Sequence, residues 1–208
     1  MAKLHQLAWE RDYFKRGGLW RGASGFTPKL KPKSRVLELG CGNGKNLSSL
    51  VKQEYVVYAI DSSKTAVNLS KKLLKLMKTK AFLSVQDCCK TSFKNNFFDA
   101  VIAFHVLGHL NEKERARSIK EIKRVLKPNG LVFFKEFGLR DMRYGKGKKV
   151  EENTFERGNG IWYHYFSDKE VKKLFKEFKT ETLGVESWNV FFHSKPYYRQ
   201  EVLAVLKK

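Results

Sequence analysis

The sequence predicts an α/β domain built on a doubly wound, mostly parallel sheet of seven strands, with a late strand running antiparallel. Three observations predict it. Short, near-continuous apolar runs recur along the chain, as strands buried on both faces require. Segments with apolar residues at helical spacing lie between them. The first apolar run ends in the glycine-rich turn Gly40-Cys41-Gly42-Asn43-Gly44.

Residues 35–39 form the first run. The second, 55–60, is β-branched and aromatic and ends at Asp61. Residues 81–85 precede Gln86-Asp87, residues 100–104 follow Phe98-Asp99, and residues 131–134 follow the turn Pro128-Asn129-Gly130. Residues 198–206 read as a late strand, antiparallel to one near 185–191. Between the runs, Ser62 and Ser63 are caps for a helix whose apolar stripe runs from Ala66 to Met77. Asn111 with Glu114 is a capping-box pattern ahead of Ile119, Ile122 and Val125, and Pro128 ends that run. Ser167 with Glu170 repeats the pattern ahead of Val171 and Leu174. Residues 138–165 read as a long polar loop, either a lid, a binding loop or a disordered segment.

The chain has 208 residues, enough for one substantial core. No apolar run approaches the roughly 20 residues needed to cross a bilayer, and the N-terminus Met1-Ala2-Lys3-Leu4-His5-Gln6 has no apolar stretch of the secretory kind. The three cysteines, Cys41, Cys88 and Cys89, show no metal-ligand spacing, so no metal is expected and a reducing cytoplasm is. Forty-two Lys and Arg stand against 21 Asp and Glu, a net charge of +21. That field attracts polyanions, although a lysine-rich proteome produces the same excess. The basic residues are spread through the chain, so any basic surface belongs to the folded body.

A strand, a glycine turn and a helix start make a site for a nucleotide-like ligand, because backbone without a Cβ approaches it closely. The phosphate-loop pattern fails twice, with Leu39 in place of its first glycine and Asn46 in place of its Ser or Thr. The dinucleotide pattern fails once, with Lys45 in place of its third glycine. The pattern Glu38-Leu39-Gly40-Cys41-Gly42-Asn43-Gly44 instead resembles the first motif of class I S-adenosylmethionine-dependent methyltransferases, whose sheet is Rossmann-like. Asp61 stands where a carboxylate can accept both ribose hydroxyl protons, and the resemblance puts Asp87, after the third run, where that family contacts the adenine side.

Within that class the chain is similar to the methyltransferase-like enzymes that make 3-methylcytidine in tRNA, and to small archaeal-type relatives. The likeness runs from Trp9 to about Phe178. Trp9 and Tyr13 match a Trp-x-x-x-Tyr pair, and Phe133-Phe134-Lys135-Glu136-Phe137-Gly138 resembles Leu-Phe-Arg-Asp-Tyr-Gly. Lys135 and Glu136 depart from that segment, and any fork-like guanidinium contact there is lost. The N-terminal extension is also much shorter than in the tRNA enzymes.

The resemblance implies S-adenosylmethionine as cofactor. It places Glu38, Gly40, Cys41, Gly42, Gly44 and Asn46 beside it, with Asp61 and Ser62, Asp87 and Cys88, and Phe104 and His105 after the next three strands. Trp9, Tyr13 and Trp20 form an aromatic lid or simply pack, and Arg21 takes the methionine carboxylate or lies at the surface. Glu136, Tyr163 and His164 are the catalytic candidates, with Arg157 and Tyr165 on the substrate. The tyrosines either stack on a base or belong to the core.

One domain over residues 1–208 is expected: a lid helix and loop (1–33), a cofactor-binding half (34–137), and a substrate-side loop, helix and terminal strands (138–208). The expected activity is methyl transfer to a nucleobase in RNA, tRNA above all, with no membrane partner. A small-metabolite methyltransferase and a non-catalytic nucleic-acid-binding module are the alternatives. A ring-nitrogen nucleophile needs no strong base, which fits the lack of an obvious acid–base pair.

Overall fold

The computed structural model describes residues 4–18, 22 and 24–208. It contains the helices α1 (Leu4–Arg16), α2 (Leu47–Leu50), α3 (Lys64–Leu76), α4 (Glu112–Val125) and α5 (Asp168–Leu174). Its strands are β1 (Arg35–Leu39), β2 (Val56–Asp61), β3 (Phe82–Val85), β4 (Phe98–Phe104) and β5 (Leu126–Phe137), then β6 (Lys148–Glu151), β7 (Thr154–Glu156) and β8 (Trp162–His164), and last β9 (Lys179–Phe192) and β10 (Lys195–Lys207). A seven-stranded sheet has the order β3-β2-β1-β4-β5-β10-β9. The first five strands are parallel, and β10 pairs antiparallel with both β5 and β9.

The sheet divides the core by the parity of its strands, because successive side chains point to opposite faces. Leu37, Val101, Val132 and Phe134 pack on one face with α4 and Phe175. Val36, Ile102, Phe104 and Phe133 pack on the other with Leu47 and Leu74. The helix starts follow the cap residues. Ser63 Oγ accepts from Ala66 N–H at 3.0 Å, Asn111 and Glu114 form a reciprocal capping box, and Ser167 Oγ accepts from Glu170 N–H at 3.1 Å.

Three expectations change. The last parallel strand begins at Leu126, which pairs with Phe98; the intervening turn bulges out, and Leu131 rejoins opposite Ala100. The helix stops at Val125, with Leu126 already extended, ahead of Lys127, which the following Pro128 bars from helical backbone. The predicted loop 138–165 is ordered by a separate antiparallel sheet, β6-β7-β8. Its strands are three or four residues long, too short for the alternating pattern to stand out from loop sequence. The terminal hairpin is longer than expected, with 14 residues in β9 and 13 in β10. Among the described residues, no helix is long and apolar enough to cross a membrane.

Strand order reverses between β1 and β4, so the crevice beyond their carboxyl ends is where this sheet type places a ligand. The register brings three strand ends to that edge. Leu39 pairs with both Ile60 and Ala103, so Gly40, Asp61 and Phe104 follow side by side.

Candidate active site

A cavity of about 460 Å³ occupies this crevice, within the usual range for small-molecule sites. One end is built on the glycine turn. Gly40 and Gly42 have φ of +64° and +54°, and both line the cavity. A Cβ on Gly40 would lie 2.8 Å from Val106, and one on Gly42 would lie 2.5 Å from Tyr13 Oη, so both positions need hydrogen. Cys41 N–H donates to Ile60 O at 3.0 Å and stitches the turn to β2. Asp61 receives Gly42 N–H on Oδ2 and Ser63 N–H on Oδ1, each at 2.9 Å. Burial raises its pKa, and those backbone donors offset part of the rise.

Glu38 is 1% exposed, and neither carboxyl oxygen finds a well-aligned hydrogen bond among the described residues. Burial pushes its pKa up to about 8, with the Asn46 side chain offsetting only part of it and the Asp61 charge adding to it. A buried carboxyl with so little support is costly to ionise.

The remaining contacts at this end come from Asn46, Ser62, Asp87, Cys88 and Phe104, all of which line the cavity. Asp87 Oδ1 accepts Cys89 N–H at 2.8 Å and holds the turn after β3. The ligand atoms of Asp87, Cys88 and Cys89 lie within 4.8 Å of one another, and no other His, Cys, Asp and Glu trio does so among the described residues.

α1 covers this end. Trp9 and Tyr13 share a face with ring centroids 5.7 Å apart, and Trp9 packs edge-on against His109 at 4.7 Å. Trp20 and Arg21 lie outside the described residues. Glu10 latches the helix down: its carboxylate accepts from Ser63 Oγ and Thr65 Oγ1, each at 2.5 Å, and from Thr65 N–H at 3.2 Å, at the positive N-terminus of α3. Partial burial raises its pKa, and those donors outweigh it to leave the value lowered. The latch is therefore fully formed above the ordinary glutamate range and is lost as pH falls through the depressed folded value. Glu10→Ala is expected to cost about 1–2 kcal/mol of unfolding free energy and to speed amide exchange in α1 selectively. Unchanged exchange in α1 would show that the latch does not hold it.

The other end of the cavity carries different chemistry. Lys135 and Phe137 reach it from β5, Trp188 from β9, and Arg199 and Glu201 from β10, with Tyr163 and Arg143 beside them. Glu201 Oε1 lies 3.1 Å from His105 Nε2, and Oε2 lies 3.7 Å from Lys135 Nζ. Burial would raise the Glu201 pKa, but His105, Lys135 and Arg199 bring it below its ordinary value, so it is ionised at neutral pH. His105 is held at φ +53° and stacks on Phe137 at 4.4 Å. Burial lowers its pKa more than Glu201 raises it, so the ring is neutral.

Several sequence candidates lie elsewhere. Glu136 faces away from the cavity, because strand alternation sends Lys135 and Phe137 into it. Its Oε1 instead accepts Gly108 N–H at 2.9 Å and pins the 3-10 turn Leu107–His109, and burial pushes its pKa up to about 8. His164 alternates away in the same manner from Tyr163. It is 3% exposed, with Nδ1 2.8 Å from Thr154 Oγ1 and Nε2 2.7 Å from Glu170 Oε1. Tyr165 is fully buried against Tyr144 and Phe155. Arg157 lies over the Tyr163 ring, 5.5 Å from its centroid, reaches Tyr165 as well, and does not line the cavity. Gly44 does not line it either; a Cβ there would meet Leu73 at 2.6 Å, so its role is close packing of the turn on α3. Glu38 lies behind the lining.

Sequence reading missed Arg143, Trp188, Arg199 and Glu201. Strand pairing reveals the last three, since Glu201 faces the cavity by pairing with Phe137, and Asp141 brings in Arg143 from the turn after β5. The one available signal was Trp188, Arg199 and Glu201 at alternate positions of two strand-like segments.

A methyltransferase-domain family model matches residues 37–134. The chain is 29% identical over 167 residues to the tRNA N(3)-cytidine methyltransferase METTL2 of Danio rerio, covering 75% of this chain and 47% of that protein. It is 29% identical over 163 residues to O-methyltransferase 3 of Dictyostelium discoideum, covering 73% of this chain and 37% of that protein. The chain thus spans under half the length of these curated relatives. A SAM-dependent methyltransferase structure from Methanosarcina mazei has a TM-score of 0.74 at 25% identity, covering 86% of this chain and 94% of that one. The residues present fit S-adenosylmethionine, the cofactor named for the Methanosarcina structure. Bare backbone at Gly40 and Gly42 lines the cavity, Asp61 retains lone pairs for hydroxyl groups, and the buried Glu38 carboxyl behind the lining adds an acid to the end that would take a cation. The chain is thus similar in sequence and fold to S-adenosylmethionine-dependent methyltransferases, the tRNA N(3)-cytidine enzymes among them.

Proposed function

We propose that the chain transfers a methyl group from S-adenosylmethionine to a nucleobase in RNA, with tRNA as the substrate. The observation that carries this is the continuity of one cavity from the glycine turn to an aromatic and cationic far end holding Tyr163, Trp188, Arg143 and Arg199. The name of the METTL2 relative and the net charge of +21 support the RNA substrate.

When bound, the cofactor supplies an electrophilic methyl on a sulfonium. The chain's residues then serve alignment and the exclusion of water. Gly40 and Gly42 give the cofactor close backbone, Asp61 accepts its hydroxyl protons, and Asp87, Cys88 and Phe104 border its base. Trp9 and Tyr13 cover it. On the substrate side, Tyr163 offers a stacking face. Glu201 takes the part expected of Glu136, an ionised acceptor for an exocyclic amine on the target base. His105 and Lys135 hold that acceptor in place. Three free thiols fit work in a reducing cytoplasm.

The test is incubation of the chain with methyl-labelled S-adenosylmethionine and total tRNA, followed by nucleoside analysis by mass spectrometry. Label is expected in a methylated nucleoside. Label found only in small molecules would favour the second reading, a small-metabolite methyltransferase, which the equal identity to the Dictyostelium O-methyltransferase supports. No label transfer alongside tight cofactor binding would overturn both.

A further inference from the structure

We propose that Arg143 and Arg199 form a phosphate clamp on the substrate wall of the cavity. Both guanidinium groups are tied to one buried carboxylate. Asp141, whose side chain is fully buried, accepts Arg143 Nε at 3.0 Å on Oδ1 and Arg199 Nε at 2.6 Å on Oδ2. Both groups also lie over the Phe137 ring, with Cζ 3.8 and 5.0 Å from its centroid. Arg199 lies 5.7 Å from the Trp188 ring centroid as well. Their positions are thus set by a common partner and a common platform, and both line the cavity.

Asp141 takes the Nε edge of each arginine and leaves the terminal amino groups uncommitted to it. Arg143 Nη2 is buried with no hydrogen-bond partner among the described residues. A buried donor in that state carries an uncompensated desolvation cost, which an anion entering the cavity would remove. Charge points the same way: on this wall Arg143, Arg199 and Lys135 face two carboxylates, Asp141 and Glu201. Glu201 is shared among His105, Lys135 and Arg199. Planar guanidinium forks match a tetrahedral oxyanion through paired N–H contacts, which a lysine cannot reproduce. The phosphate is that of the nucleotide whose base enters the cavity, an assignment resting on the nucleobase reading above.

Two measurements test the clamp on the chain saturated with S-adenosylhomocysteine. In the first, inorganic phosphate is titrated while the Nε–H signals of the arginines are followed by nitrogen-15 NMR. The Arg143 and Arg199 signals are expected to move, while that of Arg124, paired with Glu121, stays in place. Absent shifts, or equal shifts in all three, mean an adventitious ion only and overturn the clamp.

The second measurement compares cytidine, the dinucleoside phosphate CpC and cytidine monophosphate by calorimetry. CpC is expected to bind about tenfold or more tightly than cytidine. Arg143→Gln or Arg199→Lys should close that gap without changing S-adenosylhomocysteine affinity, which shows that the fold is intact. A gap for the monophosphate alone assigns the clamp to a free nucleotide instead of a chain phosphodiester. Equal binding of all three, or a gap surviving in both variants, overturns the proposal while leaving the nucleobase reading standing. Phosphate-induced shifts without any nucleoside or nucleotide binding support the clamp and sink the nucleobase reading.

Discussion

Asp61→Ala is expected to lower S-adenosylhomocysteine affinity by about 100-fold or more and to reduce unfolding free energy by about 2–3 kcal/mol. The carboxylate acts in two directions. Toward the protein, it satisfies Gly42 N–H and Ser63 N–H, which join the glycine turn to the start of α3. Removing it strands two donors in a buried site. Toward the cavity, its remaining lone pairs are the acceptors nearest the end of β2. Asp61→Asn should fall between wild type and alanine, because an amide keeps one acceptor and turns a donor toward one of the two N–H groups. Calorimetry and thermal unfolding measure the two losses. Affinity within threefold of wild type in the alanine variant would mean that the cofactor is not held at this strand end.

Glu38→Gln is expected to stabilise the cofactor-free chain while weakening its hold on S-adenosylmethionine. The folded pKa of about 8 lies above the ordinary carboxyl value of 4.5. The unfolded chain therefore ionises Glu38 freely as pH rises from 4.5, while the folded chain resists. Stability is lost across the window from about 4.5 to about 8, by roughly 5 kcal/mol once the group is ionised in both states. The amide removes that dependence, and about 1–3 kcal/mol of net stabilisation should remain at pH 8 after its own burial cost. Binding a cation beside Glu38 at pH 7 should release a proton. Calorimetric enthalpy will then vary with buffer ionisation in the wild type and not in the variant. A destabilised Glu38→Gln chain, or proton release persisting in it, would show that Glu38 is not a neutral acid awaiting a cation. Such a residue exchanges stability for function, as binding sites commonly do.

Much of the scaffold was legible because it rests on short-range rules. Ser63, Asn111 and Ser167 announce helix starts through side chains that meet a backbone N–H three residues on. The apolar runs announce strands buried on both faces. Gly40 and Gly42 announce a turn that no side chain tolerates, and Asp61 follows at the adjacent strand end. All of these lie within one or two elements of each other, so spacing alone constrains them.

The substrate wall was not legible, for two physical reasons. The first is parity. A one-residue step along a strand reverses the direction of a side chain, so Lys135 and not Glu136, and Tyr163 and not His164, face the cavity. Composition around residues 133–138 and 162–166 is apolar on both parities, and the pattern cannot choose. The second is distance along the chain. Asp141 meets Arg199 across 58 residues, and Glu201 meets Phe137 only through the β5–β10 register.

By itself, then, the sequence determined the strand and helix succession of the main sheet, the glycine turn and the carboxylate beyond β2, because each follows from local backbone chemistry. Which side chains form the far wall, and which charges balance there, was decided only by the pairing of strands and the face each residue was left to occupy.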